Sequence, residues 1–377
     1  MAPLISTLSG AVGVPASRFG YFITLQYVSF ALASFLGGAI KERLRLQNRH
    51  LVGAGLLIIS AAFFVGALAL RSAAALVLWV IPLGVAGGFV ETFSSVQISR
   101  LSRTGSSKNL CLSQVFYTIG ALAAPQVVYI IFGAGLGWKS AFTIFGLFTT
   151  AVCAFFLVFN FRREGYGRPQ TAPALPTAAG PVRGSIFPLF VLLMLSAVLI
   201  ESYSAAWLAY AFELRYALAA RDASLALVLF WAGSMTGRLV ILLLPPRWTL
   251  WPALVVSSAA LLLAAAGLAA APTMDARFAF VALLGVFLGP LWPVIVMISS
   301  AAFPSEKRTS TLIGIGALGF ATGPMLGTLV LAQHWTSHFF LFHLGLAGLI
   351  VASCLVAWRG HSTAALAAPR RGGRSSA

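Results

Sequence analysis

Residues 51–70 read LVGAGLLIISAAFFVGALAL, twenty consecutive residues without a charged side chain. At 1.5 Å per residue, a helix of this length covers the ~30 Å hydrocarbon core of a bilayer. Four further apolar blocks are at least as long, and they occupy residues 73–98, 110–132, 140–160 and 248–271. A backbone that crosses lipid must satisfy its own hydrogen bonds, which a helix does within a single segment. The sequence therefore predicts an all-α polytopic membrane protein.

The composition supports the same fold class and excludes others. Of the 377 residues, 59% are hydrophobic and 9% are charged, whereas soluble domains carry about 25% charged residues. The net charge of +17 would suggest nucleic-acid binding in a soluble chain, but here the basic residues lie in short segments between apolar blocks. We therefore expect no nucleic-acid partner. Cys111, Cys153 and Cys354 occur singly, which predicts neither a metal site nor a disulfide framework.

The alternation of apolar blocks and polar loops predicts eleven complete membrane spans and the end of one more. The incomplete span runs from Met1 to about Gly10. The complete spans are predicted at residues 21–40, 51–70, 73–98, 110–132, 140–160, 185–210, 223–244, 248–271, 278–302, 309–332 and 339–357.

The spans group into two transmembrane bundles, at residues 1–160 and 185–358. Residues 161–184 are rich in proline and arginine without apolar periodicity, which predicts a cytoplasmic linker. Residues 359–377 are predicted to form a disordered basic tail. Nineteen of the 25 basic residues lie in one alternating set of connecting segments and six in the other. This bias places the first set, the linker and the C-terminus in the cytoplasm, and we expect a bacterial inner membrane.

A shift of about two hundred residues aligns the two predicted bundles. The aligned positions are Ser34 with Ser234, Gly37 with Gly237, 83–85 with 284–286, Gly88 with Gly289, Ser99 with Ser300, Gly120 with Gly319 and Pro125 with Pro324. This ordered series indicates two bundles in the same orientation, related by a parallel repeat.

The same shift would begin span one about fifteen residues before Met1. The sequence therefore predicts a start inside the first helix, through misassignment or truncation. The alternative is a genuine Met1, with a first span that covers half the membrane.

The loop after span two reads GGAIKERLRLQNR over residues 37–49, and span eight contains GSMTGR over residues 233–238. A glycine followed by an acidic residue and a basic cluster resembles the signature loop of the major facilitator superfamily. Lys41 stands where that family has aspartate, and Glu42 follows one position later. The resemblance implies the major facilitator fold, with two six-helix bundles. It assigns a cytoplasmic gating loop to six residues: Gly37, Lys41, Glu42, Arg45, Gly237 and Arg238.

Spans four, five and seven resemble the fucose–proton symporter group of that superfamily. Residues 84–92 read GVAGGFVET, a glycine-rich helix with a mid-membrane Glu91, and span five carries Gln114 in a similar pattern. In span seven, Trp207 follows Glu201. The chain departs from the group at residues 94–96, which are SSV without the group's asparagine, and the group's second acid would precede the first residue. The resemblance implies proton-coupled sugar transport. We also predict a monomer without cofactor or metal, and the lack of catalytic motifs predicts no enzymatic activity.

Glu91 and Glu201 are the only two of the eight acidic residues that fall well inside predicted spans. A charge at that depth costs about 2.5–3.5 kcal/mol on insertion scales, so such a carboxyl is a natural proton carrier. We predict proton-coupling roles for both. The alternative is a protonated glutamate that is hydrogen-bonded to a neighbouring helix. Glu201 lies nearer the outer end of its span, where water is within reach of its side chain.

Five further side chains are candidates for lining a central substrate-binding cavity: Gln114, Tyr117, Trp207, Trp231 and Trp292. Polar-edged aromatic rings suit a sugar, which offers a face for stacking and hydroxyl groups for hydrogen bonding. Each aromatic residue taken singly is equally consistent with packing or an interfacial position. Trp292 lies between Pro290 and Pro293, opposite Glu91 in the repeat, and broken helices often form binding sites.

These features lead to one main functional hypothesis and two alternatives. The main hypothesis is proton symport of a small, polar, sugar-like solute by alternating access, with the solute, protons and the lipid bilayer as partners. Residues 319–324, GFATGP, resemble the glycine–proline stretch of drug and metabolite antiporters. That resemblance implies a proton antiporter that exports a drug, a siderophore or another metabolite. The third alternative is a membrane protein that responds to a solute without moving it.

Overall fold

The computed structural model describes residues 5–15, 18–100, 106–161, 186–218, 220–243, 250–303, 306–332 and 338–367. These residues form thirteen helices and no strand. In chain order the helices are α1 (Ile5–Val12), α2 (Phe19–Arg43), α3 (Asn48–Ala69), α4 (Ala73–Arg100), α5 (Ser106–Gly133), α6 (Trp138–Phe161), α7 (Phe187–Tyr216), α8 (Ala220–Leu243), α9 (Leu250–Ala270), α10 (Met274–Leu288), α11 (Leu291–Ala302), α12 (Glu306–Ala332) and α13 (Phe339–Ala367).

Eleven segments of the described residues are long and apolar enough to cross a membrane. Helices α10 and α11 together form one of them, Met274–Ala302, whereas α1 has only 8 residues. The predicted all-α architecture with eleven complete spans is therefore confirmed. The predicted linker lies outside the described residues except for Phe161, the last residue of α6.

The last helix differs from the sequence prediction. Helix α13 continues to Ala367, so the tail predicted from residue 359 begins inside a helix. The physical reason is the local sequence STAALA at residues 362–367, because alanine and leucine favour helix. Residues 368–377 lie outside the described part of the chain.

Each half of the chain builds its own apolar core. The largest cluster of buried apolar side chains draws its buried members only from α7 to α13 and the connection after α11. Two smaller clusters draw theirs only from α1 to α6 and adjoining loop positions. The buried apolar side chains of the two halves therefore cluster separately.

Closely packed glycines recur at equivalent places in the two halves. A Cβ atom on Gly84 of α4 would lie 2.8 Å from the Ser29 side chain of α2. In the second half, a Cβ atom on Gly285 of α10 would lie 2.9 Å from the backbone nitrogen of Ser234 in α8. Distances below 3 Å leave no room for a methyl group, so both helix pairs depend on glycine for their close approach. The recurrence supports the internal repeat of about two hundred residues.

The two halves meet along two pairs of helices, α2 with α12 and α5 with α8. The connection between α2 and α3 defines one end of the molecule, the α2–α3 end, and the connection between α1 and α2 defines the opposite end, the α1–α2 end. Helix α4 also contacts α12, and α5 contacts α11. Helix α11 is the part of span ten that lies nearer the α2–α3 end. Ile98, close to that end of α4, packs against the core of the second half. These contacts bring the halves together at the α2–α3 end. The α2–α12 interface continues toward the α1–α2 end, where a Cβ atom on Gly20 would lie 2.5 Å from the Thr328 hydroxyl oxygen.

Span ten is interrupted between Leu288 and Leu291. Prolines at positions 290 and 293 have no backbone N–H, so the carbonyl groups four residues before them lose their helical donors. For Pro293 that carbonyl belongs to Gly289. The interruption therefore leaves a carbonyl oxygen inside the membrane span without a helical N–H donor.

We expect Gly285→Ala to lower the thermal stability of the purified protein, because the added methyl group has no space between α10 and α8. Overpacking of this kind costs about 1–3 kcal/mol. The matched control is Gly348→Ala in α13, where no heavy atom lies within 4 Å of the new Cβ. Thermal unfolding in detergent measures both variants, and equal melting temperatures for the two would contradict the packing account.

Candidate functional site

Arg238 lies inside α8 and is buried, with 1% of its surface exposed. The resemblance to the signature loop predicts a cytoplasmic gating position for Arg238, and that prediction is wrong. Helix α8 continues to Leu243, so Arg238 lies within the span, and its side chain enters the space between α5, α7 and the interruption of span ten.

All three nitrogens of the Arg238 guanidinium have described acceptors. Nε donates to the backbone oxygen of Gly289 at 3.0 Å, the carbonyl that Pro293 leaves without a helical donor. Nη1 donates to the backbone oxygen of Gln114 at 3.3 Å and to the hydroxyl of Thr118. Nη2 donates to Glu201, whose two carboxylate oxygens lie at 3.2 and 3.5 Å in nearly the same direction and share one N–H.

Glu201 is the charge partner of Arg238. It is the fifteenth of the 30 residues of α7, at the middle of the helix, and 4% of its surface is exposed. The expectation that Glu201 lies near the outer end of its span and reaches water is therefore wrong. The ion pair holds the carboxylate away from water, since desolvated charges persist in a protein interior when they are paired and hydrogen-bonded.

Glu91 has a neutral hydrogen-bond partner. The side-chain amide of Gln114 donates to Glu91 Oε1 at 3.2 Å. Glu91 is partly exposed, whereas Gln114 is buried. The next residue, Thr92, donates to Ser34 of α2 at 2.8 Å, which fixes the rotation of α4 and turns Glu91 toward α5.

Gln114 therefore joins the two acidic groups of the site. Its side chain binds Glu91, and its backbone oxygen binds Arg238, which in turn binds Glu201. We name Glu91, Gln114, Thr118, Glu201 and Arg238 the polar cluster. It contains two carboxyl groups and one guanidinium, so its formal charge is zero only when one carboxyl holds a proton. Because Glu201 contacts the guanidinium directly and Glu91 contacts only an amide, Glu91 is the carboxyl whose charge is less well compensated.

Two of the predicted substrate-binding aromatic residues adjoin the polar cluster. The ring of Tyr117 lies 5.6 Å from the Arg238 guanidinium carbon and 6.0 Å from the Trp231 ring. Tyr117 keeps 39% of its surface exposed in the middle of α5, although its ring contacts α8. Glu91 and Tyr117 are the members of the polar cluster and its two aromatic neighbours that keep exposed surface, and we call these two residues the accessible edge of the site.

The other two predicted aromatic residues are placed elsewhere. Trp207 lies six positions beyond Glu201 along α7, and its indole nitrogen donates to the backbone oxygen of Pro324 at 2.8 Å. That nitrogen is committed to fixing α7 against α12. Trp292 is buried in the first turn of α11, within the core of the second half.

Sequence reasoning missed Tyr27 and Thr118. Tyr27 stacks on Phe320 of α12 at 5.1 Å and is in electrostatic range of Glu201 and Tyr117. Thr118 accepts from Arg238 and donates to the Gln114 backbone oxygen at 2.8 Å. Gln114 and Thr118 are one helical turn apart, so they lie on the same face of α5. This spacing was the sequence signal that both could contact one donor.

The remaining predicted gating residues lie on α2, in the following loop and on α8. Gly37 permits the close approach of Phe93, whose ring would lie 2.7 Å from an added Cβ. Lys41 and Glu42 fall in the last turn of α2, and Arg45 turns the chain with a positive φ of 52°. Gly237 lets α8 approach the interruption of span ten, since an added Cβ would lie 2.9 Å from Pro290 Cδ. Gly237 thus belongs to the surroundings of the polar cluster and not to a loop.

The Arg238–Glu201 pair makes a specific energetic prediction. Glu201→Gln leaves a buried guanidinium without its counter-charge, which typically costs about 3–5 kcal/mol. Replacing both residues by glutamine removes both charges, so the double variant is expected to be more stable than either single variant. Thermal unfolding in detergent measures this double-mutant cycle. The control is Glu213→Gln, because Glu213 lies on the same helix and is partly exposed. Losses that simply add in the double variant would contradict direct pairing.

No protein-family model and no curated protein matches the sequence. Solved structures do match. The human organic anion transporter MFSD10 (TETRAN) is 18% identical, with a TM-score of 0.70 over 94% of this chain and 88% of that chain. The proton:xylose symporter XylE, bound to 6-bromo-6-deoxy-D-glucose, is 14% identical, with a TM-score of 0.73 over 95% of this chain and 90% of that chain. The E. coli fucose:proton symporter FucP is 13% identical, with a TM-score of 0.67 over 94% of this chain and 95% of that chain.

These likenesses extend over nearly the whole chain, at sequence identities that establish a shared fold and nothing finer. They confirm the fold that the loop motif implied, and they include the fucose symporter that spans four, five and seven resemble. The chain has the fold of the major facilitator superfamily.

Proposed function

We propose that this chain is a secondary active transporter that moves a small, polar, uncharged solute together with protons by alternating access. The observation that carries the proposal is the environment of Glu91. It is a partly exposed carboxyl inside a span, held by a neutral amide beside an ion pair that already uses the neighbouring guanidinium. A carboxyl in this position binds and releases a proton without disturbing a direct ion pair.

The packing of the two halves supports alternating access. Each half has its own apolar core, and glycine contacts stiffen the helix pairs within each half. Between the halves lie the interfaces of α2 with α12 and α5 with α8, together with the contacts at the α2–α3 end. Two rigid bundles of this kind rock about a shared site. Glu91 takes up a proton from the side to which the site is open, and it releases that proton after the opposite end has opened.

The charge distribution favours an uncharged solute. All three guanidinium nitrogens of Arg238 are bound by protein acceptors and Glu201 supplies the counter-charge, so an anion would compete with Glu201 for the guanidinium. The accessible edge of the site offers a carboxyl and the tyrosine ring of residue 117, which suit the hydroxyl groups and apolar face of a sugar-like molecule. FucP and XylE, which share the fold, are fucose:proton and proton:xylose symporters.

The proposal includes the orientation expected from the charge bias. The α2–α3 end and the C-terminus face the cytoplasm, because eighteen of the 25 basic residues lie toward that side once Arg238 is assigned to the span of α8. The protein acts as a monomer in a bacterial inner membrane, without enzymatic activity.

The test is external pH in a weakly buffered suspension of cells that express the chain, with sugars, polyols and amino acids added in turn. We expect alkalinisation of the medium by the transported compound, because each solute molecule enters with a proton. Glu91→Gln is expected to abolish the signal. The matched control is Asp222→Asn, which removes an exposed carboxylate at the start of α8 and is expected to leave the signal unchanged.

Silence across the panel with expression confirmed would contradict uptake of these solutes. Acidification of the cell interior coupled to depletion of a preloaded drug or metabolite would instead support the export alternative. A signal that survives Glu91→Gln would contradict the assignment of the proton to Glu91.

A further inference from the structure

Arg238 is shared between the two halves of the molecule. Three of its hydrogen bonds stay within the second half, to the Gly289 oxygen and to both oxygens of Glu201. The other two cross to α5 of the first half, where they reach the Gln114 backbone oxygen and the Thr118 hydroxyl. A charged donor that binds both halves opposes their separation at this point.

The charge of Glu91 acts on the same guanidinium. Glu91 belongs to the first half, and among the described residues the charged or titratable side chains in electrostatic range of it are Arg238, Glu201 and Tyr117. Arg238 is the only cation of the three, and it belongs to the second half. An ionised Glu91 therefore attracts Arg238 and, through it, the second half. The repulsion between Glu91 and Glu201 is weakened because Glu201 is paired with the same guanidinium. A protonated Glu91 provides no such attraction.

We propose that Arg238 is the positioning residue that converts protonation of Glu91 into a change of access, by holding α8 against α5 while Glu91 is ionised and releasing it when Glu91 is protonated. The inference rests on the proposed function and adds the partner charge and the direction of the coupling. In this proposal, the contacts at the α2–α3 end are present while Glu91 is ionised.

The direction is the one that symport requires, with the solute bound beside the protonated Glu91 during the transition. With Glu91 ionised, the cross-half bonds keep the α2–α3 end together, and the site receives a proton and a solute from the α1–α2 end. Protonation removes the attraction, so the Gln114 and Thr118 bonds separate and the α2–α3 end opens. The proton then leaves Glu91 on that side, and the restored charge draws Arg238 back to α5. One proton is bound and one is released in each cycle.

The internal repeat does not duplicate this pair of charges. The repeat aligns Arg238 with Gly38 and Glu91 with position 291 or 292, which is Leu291 or Trp292. Neither half contains both charges, so the attraction exists only between the halves. Arginine also suits the position better than lysine, because three donor directions are needed at once and a lysine ammonium at the end of a flexible chain does not present a fixed fork.

The test measures distances between spin labels by double electron–electron resonance in full-length protein reconstituted in lipid, with Cys111, Cys153 and Cys354 replaced by alanine. One label pair, at Leu44 and Leu243, reports the α2–α3 end, and a second pair, at Leu136 and Leu214, reports the α1–α2 end. All four labelled side chains are exposed. Acidic pH is expected to lengthen the first distance and shorten the second, with a change in state populations on the order of tenfold.

The variants separate the two proposals. Glu91→Gln is expected to show the long Leu44–Leu243 distance at acidic and alkaline pH alike. Arg238→Gln is expected to lose the pH response. The double variant Arg238→Gln with Glu201→Gln is expected to lose the response as well, and it provides a neutral replacement if the single variant fails to fold.

Arg277→Gln is the matched control, since its guanidinium carbon lies 4.3 Å from the Tyr216 ring in the same half, and it should respond like the wild type. A wild-type pH response in Arg238→Gln or in the double variant would overturn the inference and leave the proposed function standing. A full pH response in Glu91→Gln would overturn both proposals.

Discussion

A guanidinium buried in a membrane protein needs hydrogen-bond acceptors for its nitrogens and a counter-charge. Arg238 finds both in a single place, with acceptors for all three nitrogens from α5, α7 and the interruption of span ten. The positions of these elements relative to one another are therefore tied to one side chain. The proposed substrate site, the proton carrier and the contact between the halves all lie within reach of that side chain.

The local sequence explains why the acceptors are available. Pro293 leaves the Gly289 oxygen without a helical donor, and that oxygen faces Arg238. Gly237, the residue before Arg238, has no Cβ to hold α8 away from Pro290. The proline and the glycine therefore have complementary effects. Pro293 leaves the Gly289 oxygen without a helical donor, and Gly237 allows α8 to bring Arg238 close to that oxygen.

Much of the fold could be predicted from the sequence, because long apolar blocks and the bias of basic residues report directly on membrane spans. Glu91 could be identified for a similar reason, as an acidic residue in an apolar block stands out by itself. The environment of Glu201 could not, because depth along a helix does not reveal which neighbouring helix supplies a counter-charge.

Arg238 illustrates the same limit. Its sequence context, a glycine followed by an arginine near the end of span eight, resembles the signature loop after span two and implies a gating role, and only the packing of α8 against α5 and α7 shows that the side chain turns inward. Thr118 and Tyr27 could not be distinguished from other polar or aromatic residues in spans, since their roles depend on helices that are distant in sequence.

The central claim is that Glu91 holds the exchangeable proton while Glu201 remains ionised beside Arg238. Infrared difference spectroscopy between acidic and alkaline pH tests this directly, because a protonated carboxyl has a C=O stretch that a carboxylate lacks. The account predicts a protonated-carboxyl band at acidic pH that is present in the wild type and absent from Glu91→Gln. A band that persists in Glu91→Gln and disappears in Glu201→Gln would contradict the account.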